Sequence, residues 1–183
     1  MIFGPPGSGK TSVAKDLGLI LGTEIIHLDD VFWGPNWSMP KTEDFRKKVL
    51  SRLPPNRWIV DGNYSRVRSL ILPKATFAII LDLPMPLVLW RIFARTISRN
   101  TVIKIHEPTP LPIEVAKTTN KENLFEAIQE LSSYAIKFKK TKKSTILDEV
   151  KTILEENYII LSRKNDIKKF LKNVKELKKR DYF

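Results

Sequence analysis

The sequence predicts an α/β domain with a mostly parallel sheet, because short apolar runs alternate with segments of helical period along the chain. A glycine-rich stretch, GPPGSGKTS, stands between the first apolar run and the first helical segment. The chain has 183 residues, of which 42% are hydrophobic, and this is enough for one domain with a core. We therefore expect residues 1–183 to form a single domain.

The strands are predicted from short apolar runs. Met1-Ile2-Phe3 allows only a short first strand, unless the natural chain begins earlier. The run TFAIILD is nearly continuous, which is typical of a strand that is covered on both faces. The predicted strands are residues 1–3, 24–28, 57–61, 76–82 and 158–161.

The helices are predicted from their period and from their end signals. Gly22 can end the first helix, and Thr42 can cap the second, which a Pro-Pro pair stops. Thr119 and Glu122 form a capping-box pattern at the start of a long helix. The proline-rich residues 100–118 have no clear period and predict an irregular loop or lid. The predicted helices are residues 10–21, 42–53, 65–72, 86–99, 119–138, 145–156 and 167–177.

Composition and charge indicate where in the cell the protein acts and which partners it could bind. The chain has no cysteine, no apolar run near ~20 residues and no basic-then-apolar leader, so we expect a cytoplasmic protein without a membrane partner. The net charge is +12, and residues 91–183 hold 21 Lys and Arg against 12 Asp and Glu. Such a charge indicates a polyanion partner, either nucleotide phosphates or nucleic acid, or else a lysine-rich solvated helix surface.

The stretch from Gly4 to Thr11 fits the phosphate-binding pattern G-x-x-x-x-G-K-S/T without a mismatch. Its glycines let successive N–H groups converge on one anion, and the following helix adds its positive N-terminal end. Lys10 is expected to reach the β- and γ-phosphates, and Thr11 to hold Mg²⁺. The residues expected to bind the nucleotide are Gly4, Pro5, Pro6, Gly7, Ser8, Gly9, Lys10, Thr11 and Ser12.

The remaining motifs narrow the class of nucleotide protein. The chain has no N-K-x-D base-recognition motif, which GTPases need, and it is short for an ATPase motor. A glycine-rich phosphate loop, an arginine-rich helix and a lid segment in so short a chain favour a small-molecule kinase.

Several segments together resemble a known family: GPPGSGKTS, HLDDVFWGPNW, WIVDGNYSR, FAIILDLP followed by LWRIFAR, and YIILSRKNDIKKFL. They resemble adenylate-kinase-related P-loop proteins, in particular the DNA topology-modulation (FlaR-like) group. The resemblance implies a P-loop NTPase fold with a five-stranded parallel sheet, helices on both faces and ATP as a ligand. Within the single domain we expect an acceptor-side insert at about residues 29–56 and a lid at about residues 96–120. The resemblance does not identify the phosphate acceptor.

Two carboxylates follow predicted strands. Asp61 resembles the strand-end aspartate with which nucleotide kinases organise Mg²⁺ through water, so we expect it to act with Thr11, although Asp-Gly is also a common turn. Asp29 could hold the acceptor or accept a proton from a hydroxyl group, or it could be a helix-capping or turn carboxylate. A hydroxyl acceptor benefits from such a base, whereas a phosphate acceptor does not need one.

Basic and aromatic side chains complete the predicted site. Arg91 and Arg95 are four residues apart on one helix and resemble the arginines that clamp transferring phosphates, the alternative being a solvated helix face. Arg46 and Arg66 are candidate ligands of the acceptor, or surface arginines. Trp33 could stack on the acceptor or cover the core.

The leading hypothesis is an ATP-dependent kinase for a nucleotide or nucleoside-like acceptor. Its expected catalytic residues are Lys10, Asp29, Arg91 and Arg95, with Mg²⁺ as the metal. The rival hypothesis is an ATP-binding protein that acts on DNA with little turnover, which the basic C-terminal half favours. A third hypothesis is an inactive relative that keeps ATP binding for regulation.

Overall fold

Five parallel strands form the centre of the computed structural model, which describes residues 1–34, 38–100 and 121–180. Their order in the sheet is β2-β3-β1-β4-β5, and every neighbouring pair is parallel. The predicted α/β fold with a five-stranded parallel sheet is therefore confirmed. The strands are β1 (Ile2–Phe3), β2 (Glu24–His27), β3 (Trp58–Asp61), β4 (Ala78–Leu81) and β5 (Tyr158–Leu161).

Helices connect the strands at every step. A short 3₁₀ turn, Leu72–Lys74, follows α4, and a wider π turn, Phe138–Lys142, joins α6 to α7 without a break. The helices are α1 (Lys10–Leu21), α2 (Leu28–Phe32), α3 (Thr42–Arg52), α4 (Ser65–Ile71), α5 (Met85–Asn100), α6 (Lys121–Lys137), α7 (Lys143–Leu154) and α8 (Lys164–Lys179).

Both faces of the sheet are covered, as the near-continuous apolar strands predict. Alternate strand residues point to opposite faces. Ile59 and Ile79 belong to the core beneath α1 and α8. Val60 and Ile80 belong to the core beneath α2, α3, α4 and α7. A smaller apolar cluster packs α5 against α6 beyond the end of β4.

The first strand is only two residues long, as predicted, yet it lies at the centre of the sheet. Ile2 and Phe3 are both buried. Backbone hydrogen bonds reach slightly beyond the strand: the Ile79 N–H donates to the Met1 carbonyl (2.8 Å) and the Gly62 N–H donates to the Ile2 carbonyl (3.3 Å). The short strand is therefore held between β3 and β4 by both burial and pairing.

Some predicted boundaries are wrong, for local reasons. The strand of residues 24–28 ends at His27, because Leu28 begins α2. Thr42 is the first residue of α3 rather than its cap, and Glu43 and Asp44 provide the negative charge that a helix N-terminus favours. Of the predicted lid, residues 96–100 are the last residues of α5, whereas residues 101–120 lie outside the described residues.

Ion pairs between distant segments hold the connection from β4 to β5 in place. Arg68 of α4 donates two hydrogen bonds to Glu149 of α7, at 2.5 and 2.6 Å. Asp82, which follows β4, pairs with Lys143 at 2.5 Å and with Lys139 at 3.5 Å. The π turn brings both lysines to the same carboxylate, so α6, α7 and the sheet are tied together.

Within the described ranges, no helix is both long and apolar enough to cross a membrane.

The packing of the π turn predicts a large effect of one aromatic side chain. Phe138 is 1% exposed in the core beneath α7, whereas Phe125, on the same run of helix, is 71% exposed. We expect Phe138→Ala to lower the free energy of unfolding by about 3–5 kcal/mol, because it leaves a cavity. Phe125→Ala should change it by less than about 0.5 kcal/mol. Urea denaturation followed by tryptophan fluorescence measures both, and equal losses would contradict the described packing.

Candidate functional site

The loop between β1 and α1, residues 4–9, is called the glycine loop below. It leaves the carboxyl end of the central strand, where the chain turns to β2 on one side and later to β4 on the other. Such a switch point is where open parallel sheets bind ligands. Gly4 has φ 154° and Gly7 has φ 75°. A Cβ on Gly4 would lie 2.9 Å from the Leu81 carbonyl, and one on Gly7 would lie 2.7 Å from the Val88 carbonyl, so neither site admits a side chain.

The glycine loop contains a buried hydroxyl group without a partner. Ser8 is 0% exposed, and its Oγ makes no hydrogen bond to any described residue. The first turn of α1, which begins at Lys10, follows directly and presents the positive end of the helix dipole. A buried, unpaired hydroxyl is costly unless a ligand or water satisfies it. The hydroxyl, the helix end and the Lys10 ammonium form a donor set that suits an anion.

The Lys10 side chain folds back over the glycine loop. Its Nζ donates to the carbonyl oxygens of Gly4 (2.9 Å) and Pro5 (3.2 Å). Burial lowers the pKa of Lys10, while the charges of Asp61 and Asp29 raise it and that of Arg95 lowers it. Three residues that were predicted from distant parts of the sequence are thus close enough to act on one ammonium group.

Helix α5 lies directly against the glycine loop. Arg91 Nη1 donates to the carbonyls of Gly7 (3.3 Å) and Ser8 (3.2 Å). Arg95 follows one turn later and acts electrostatically on Lys10. The i, i+4 spacing therefore places both arginines on the side of α5 that faces the loop.

Asn63 holds the start of the glycine loop, a role that the sequence did not predict. Its Oδ1 accepts from the Gly4 N–H (3.2 Å), and its Nδ2 donates to the Gly4 carbonyl (2.6 Å). This reciprocal pair satisfies both polar groups of one peptide residue. In the sequence, Asn63 is only an amide side chain two residues after the strand-end Asp61, and nothing there indicates Gly4 as its partner.

Asp61 ends β3 and is 3% exposed. Its Oδ2 lies 3.0 Å from His27 Nδ1, and the two residues are partners in the β2–β3 register. This hydrogen bond raises the pKa of His27, against the effect of burial. In the described part of the chain, no group of three or more His, Asp or Glu side chains could hold a metal ion. A metal at Thr11 and Asp61 would thus take most of its ligands from a bound molecule and water.

Asp29 lies in α2, two residues beyond the end of β2, and its side chain is exposed. Tyr64 donates its hydroxyl hydrogen to Asp29 Oδ1 at 2.7 Å. Burial and the Asp29 charge both raise the pKa of Tyr64, so the phenol remains a donor. The predicted alternative role as a cap is not observed, because no side chain caps α2.

An aromatic cluster stands beside Asp29. Phe32 is at its centre, with ring centroids 5.0 Å from Trp33, 5.0 Å from Phe45 and 4.7 Å from Tyr64. Phe32 and Phe45 are buried, whereas Trp33 is 40% exposed. Trp33 and Tyr64 therefore form the accessible edge of the cluster.

The two predicted acceptor-side arginines lie close to each other at this cluster. Arg46 donates from Nε to the Arg66 carbonyl (2.9 Å) and from Nη1 to Glu43 (3.1 Å). The Arg66 guanidinium lies over the Phe32 ring, 5.6 Å from its centroid. Arg46 is thus already engaged, while the Arg66 side chain makes no hydrogen bond or ion pair to a described residue.

A scan of the chain against models of protein families finds no match, and a comparison with curated proteins finds none either. The functional assignment therefore depends on the residues themselves.

The Asn63 contacts predict a specific loss of stability. Asn63→Asp replaces the Nδ2 donor by an oxygen that faces the Gly4 carbonyl. We expect the free energy of unfolding to fall by about 1–3 kcal/mol, the cost of an unmade buried hydrogen bond. Asn173→Asp, on an exposed turn of α8, is the matched control and should change it by less than about 0.5 kcal/mol. Denaturant unfolding measures both; equal effects would show that Asn63 does not hold the loop.

The His27–Asp61 pair predicts a pH-dependent contribution to stability. Because the folded state raises the pKa of His27, this contribution is complete below about pH 6.5 and is lost as pH rises through the folded value. We expect the difference in free energy of unfolding between wild type and His27→Asn to be larger at pH 6 than at pH 8.5. The Met1 amine, whose pKa burial lowers to about 5, titrates in both proteins and cancels from this difference. A difference that is the same at both pH values would contradict the pair.

Proposed function

We propose that this protein is a P-loop nucleotide-binding protein, in which the glycine loop cradles the phosphates of ATP. More specifically, we propose an ATP-dependent kinase that transfers the γ-phosphoryl group to a small acceptor. The observation that carries the proposal is the meeting of Lys10 and Arg91 on the glycine loop at the carboxyl end of the central strand. The resemblance of the sequence segments to adenylate-kinase-related proteins supports the same class.

The glycine loop and Lys10 have hydrogen-bond donors and a positive charge that suit a polyphosphate. A phosphate oxygen would replace the carbonyl oxygens of Gly4 and Pro5 as the partner of Lys10, which exchanges neutral acceptors for a charged one. The same exchange would offset the desolvation that lowers the pKa of Lys10. The buried hydroxyl of Ser8 would gain an acceptor. An anion bound in the loop would bring about all three changes together.

The residues of α5 suit phosphoryl transfer. Arg91 would exchange the Gly7 and Ser8 carbonyls for oxygens of the transferring group, and Arg95 would add a second positive charge near Lys10. Bound Mg²⁺, held by Thr11 and through water by Asp61, would neutralise further charge on the phosphates. Positive groups fixed in advance stabilise the transition state without reorganising during the reaction.

The described contacts favour a kinase over a DNA-acting protein. Part of the basic C-terminal half is engaged within the fold: Lys139 and Lys143 pair with Asp82, and Lys142 lies over the Tyr134 ring. Lys179 pairs with Glu176. Asp82 lies outside residues 91–183, so its pairing with Lys139 and Lys143 offsets positive charge that the net count of that half leaves unbalanced.

The proposal predicts a strong dependence of ATP binding on Lys10. We expect Lys10→Ala to weaken ATP affinity about 10- to 100-fold, because a hydrogen bond between charged groups contributes about 1.5–3 kcal/mol. Lys169→Ala, which removes an exposed lysine of α8, is the matched control and should bind ATP as the wild type does. Isothermal titration with a non-hydrolysable ATP analogue and Mg²⁺ measures both affinities. Equal affinity of the Lys10 variant and wild type would rule out this phosphate site.

A further inference from the structure

We infer that the acceptor of the phosphoryl group is a ring-bearing hydroxyl compound and that Asp29 accepts the proton of its attacking hydroxyl group. This inference rests on the proposed kinase function and names the substrate class for the same site. It is carried by the position of Asp29, by its contact with Tyr64, and by the charges on the acceptor side.

Asp29 is an accessible carboxylate whose charge acts on Lys10, so it could serve as the base for an attacking hydroxyl group. Its charge acts on Lys10, the residue expected at the β- and γ-phosphates, as does the charge of Asp61. Asp61 is buried and bonded to His27, whereas Asp29 is exposed and bonded to Tyr64. Of these two carboxylates, Asp29 is thus the one that an incoming molecule can reach.

Tyr64 fixes the orientation of Asp29. The phenol donates to Oδ1, and the raised pKa of Tyr64 keeps it protonated. The other carboxylate oxygen, Oδ2, makes no hydrogen bond to a described residue. Asp29 can therefore accept a proton at Oδ2 without losing the contact that holds it. Tyr64 acts in this scheme as a positioning residue.

The Asp29 carboxylate disfavours a phosphate as the attacking group. An attacking phosphate would bring its negative charge to the exposed carboxylate of Asp29 and would need no base. Arg46, which could have balanced that charge, is engaged by Glu43 and by the Arg66 carbonyl. The Arg66 guanidinium, which lies over the Phe32 ring, can hold an anionic substituent of the acceptor. A neutral hydroxyl nucleophile avoids the repulsion and uses the base.

The accessible edge of the aromatic cluster indicates an acceptor that contains a ring. Tyr64 contacts the Asp29 carboxylate, and Trp33 packs against the same Phe32 ring as Tyr64. Their faces and edges suit a nucleobase or the apolar face of a ring sugar. A nucleoside or a cyclic sugar combines such a ring with hydroxyl groups.

Phosphoryl transfer forms one bond to phosphorus and breaks another. The acceptor oxygen forms a bond to the γ-phosphorus of ATP while the bond between that phosphorus and the β,γ-bridging oxygen breaks. The electron pair of the broken bond leaves with ADP. The hydroxyl proton passes to Asp29 Oδ2 and then to solvent, so the products are the phosphorylated acceptor, ADP and one proton.

The test compares two acceptor panels and three variants. One panel holds nucleosides and cyclic sugars, and the other holds nucleoside monophosphates, each with ATP and Mg²⁺. Phosphorus NMR identifies the product, and thermal shift with a non-hydrolysable ATP analogue measures acceptor binding without turnover. The variants are Asp29→Asn, Tyr64→Phe and, as the matched control, Asp30→Asn.

We expect the wild type to phosphorylate a hydroxyl of the first panel. Asp29→Asn should lower kcat about 10²- to 10⁴-fold, the usual contribution of a general base, while the thermal shift caused by the acceptor is retained. Tyr64→Phe should lower kcat by a smaller factor with KM little changed, and Asp30→Asn should keep the wild-type rate.

Three results would overturn the inference. They are transfer to nucleoside monophosphates alone, an Asp29→Asn variant with wild-type kcat, and no transfer to any compound of the first panel by a protein that binds the ATP analogue. Each of these leaves ATP binding at the glycine loop intact. Failure of the wild type to bind the ATP analogue would instead overturn the proposed function, so the two failures are distinguishable.

Discussion

The structure of the candidate site depends on one peptide residue, Gly4. Its carbonyl oxygen accepts from both Lys10 Nζ and Asn63 Nδ2, and its N–H donates to Asn63 Oδ1. The Leu81 carbonyl of β4 closes the space in which a side chain could stand. Gly4 therefore joins the segment that follows β3 to the start of the glycine loop and lies close to the end of β4. Because β1 contributes only two residues, these contacts rather than strand length set where the loop begins.

The charges around Lys10 follow from this placement. The Lys10 ammonium is desolvated, and its hydrogen-bond partners are neutral carbonyls. The charges of Asp61 and Asp29 raise the pKa of Lys10, whereas the charge of Arg95 lowers it. Asp61 is held by His27 and Asp29 by Tyr64, so each carboxylate near Lys10 has its own partner. A desolvated ammonium with only neutral hydrogen-bond partners lowers the stability of the fold, and an anion bound beside it would offset that cost.

The sequence predicted the sheet and the position of the loop, because both depend on local patterns. Apolar runs identified the strands, and β5 has the predicted bounds. Contacts between side chains that are far apart in the sequence could not be predicted in the same way. Asn63 on Gly4 and Arg68 on Glu149 have no local signal, since each pairing is created by the order of the strands. The π turn was missed because helical period alone does not reveal one extra residue in a turn.

The central claim is that the glycine loop and Lys10 hold the phosphates of ATP. The most direct measurement is a crystal structure of the protein with Mg²⁺ and a non-hydrolysable ATP analogue. We predict that Lys10 Nζ leaves the Gly4 and Pro5 carbonyls and lies within about 3 Å of a phosphate oxygen, the usual length of a charged hydrogen bond. Phosphates bound elsewhere, with Lys10 still on those two carbonyls, would contradict the account.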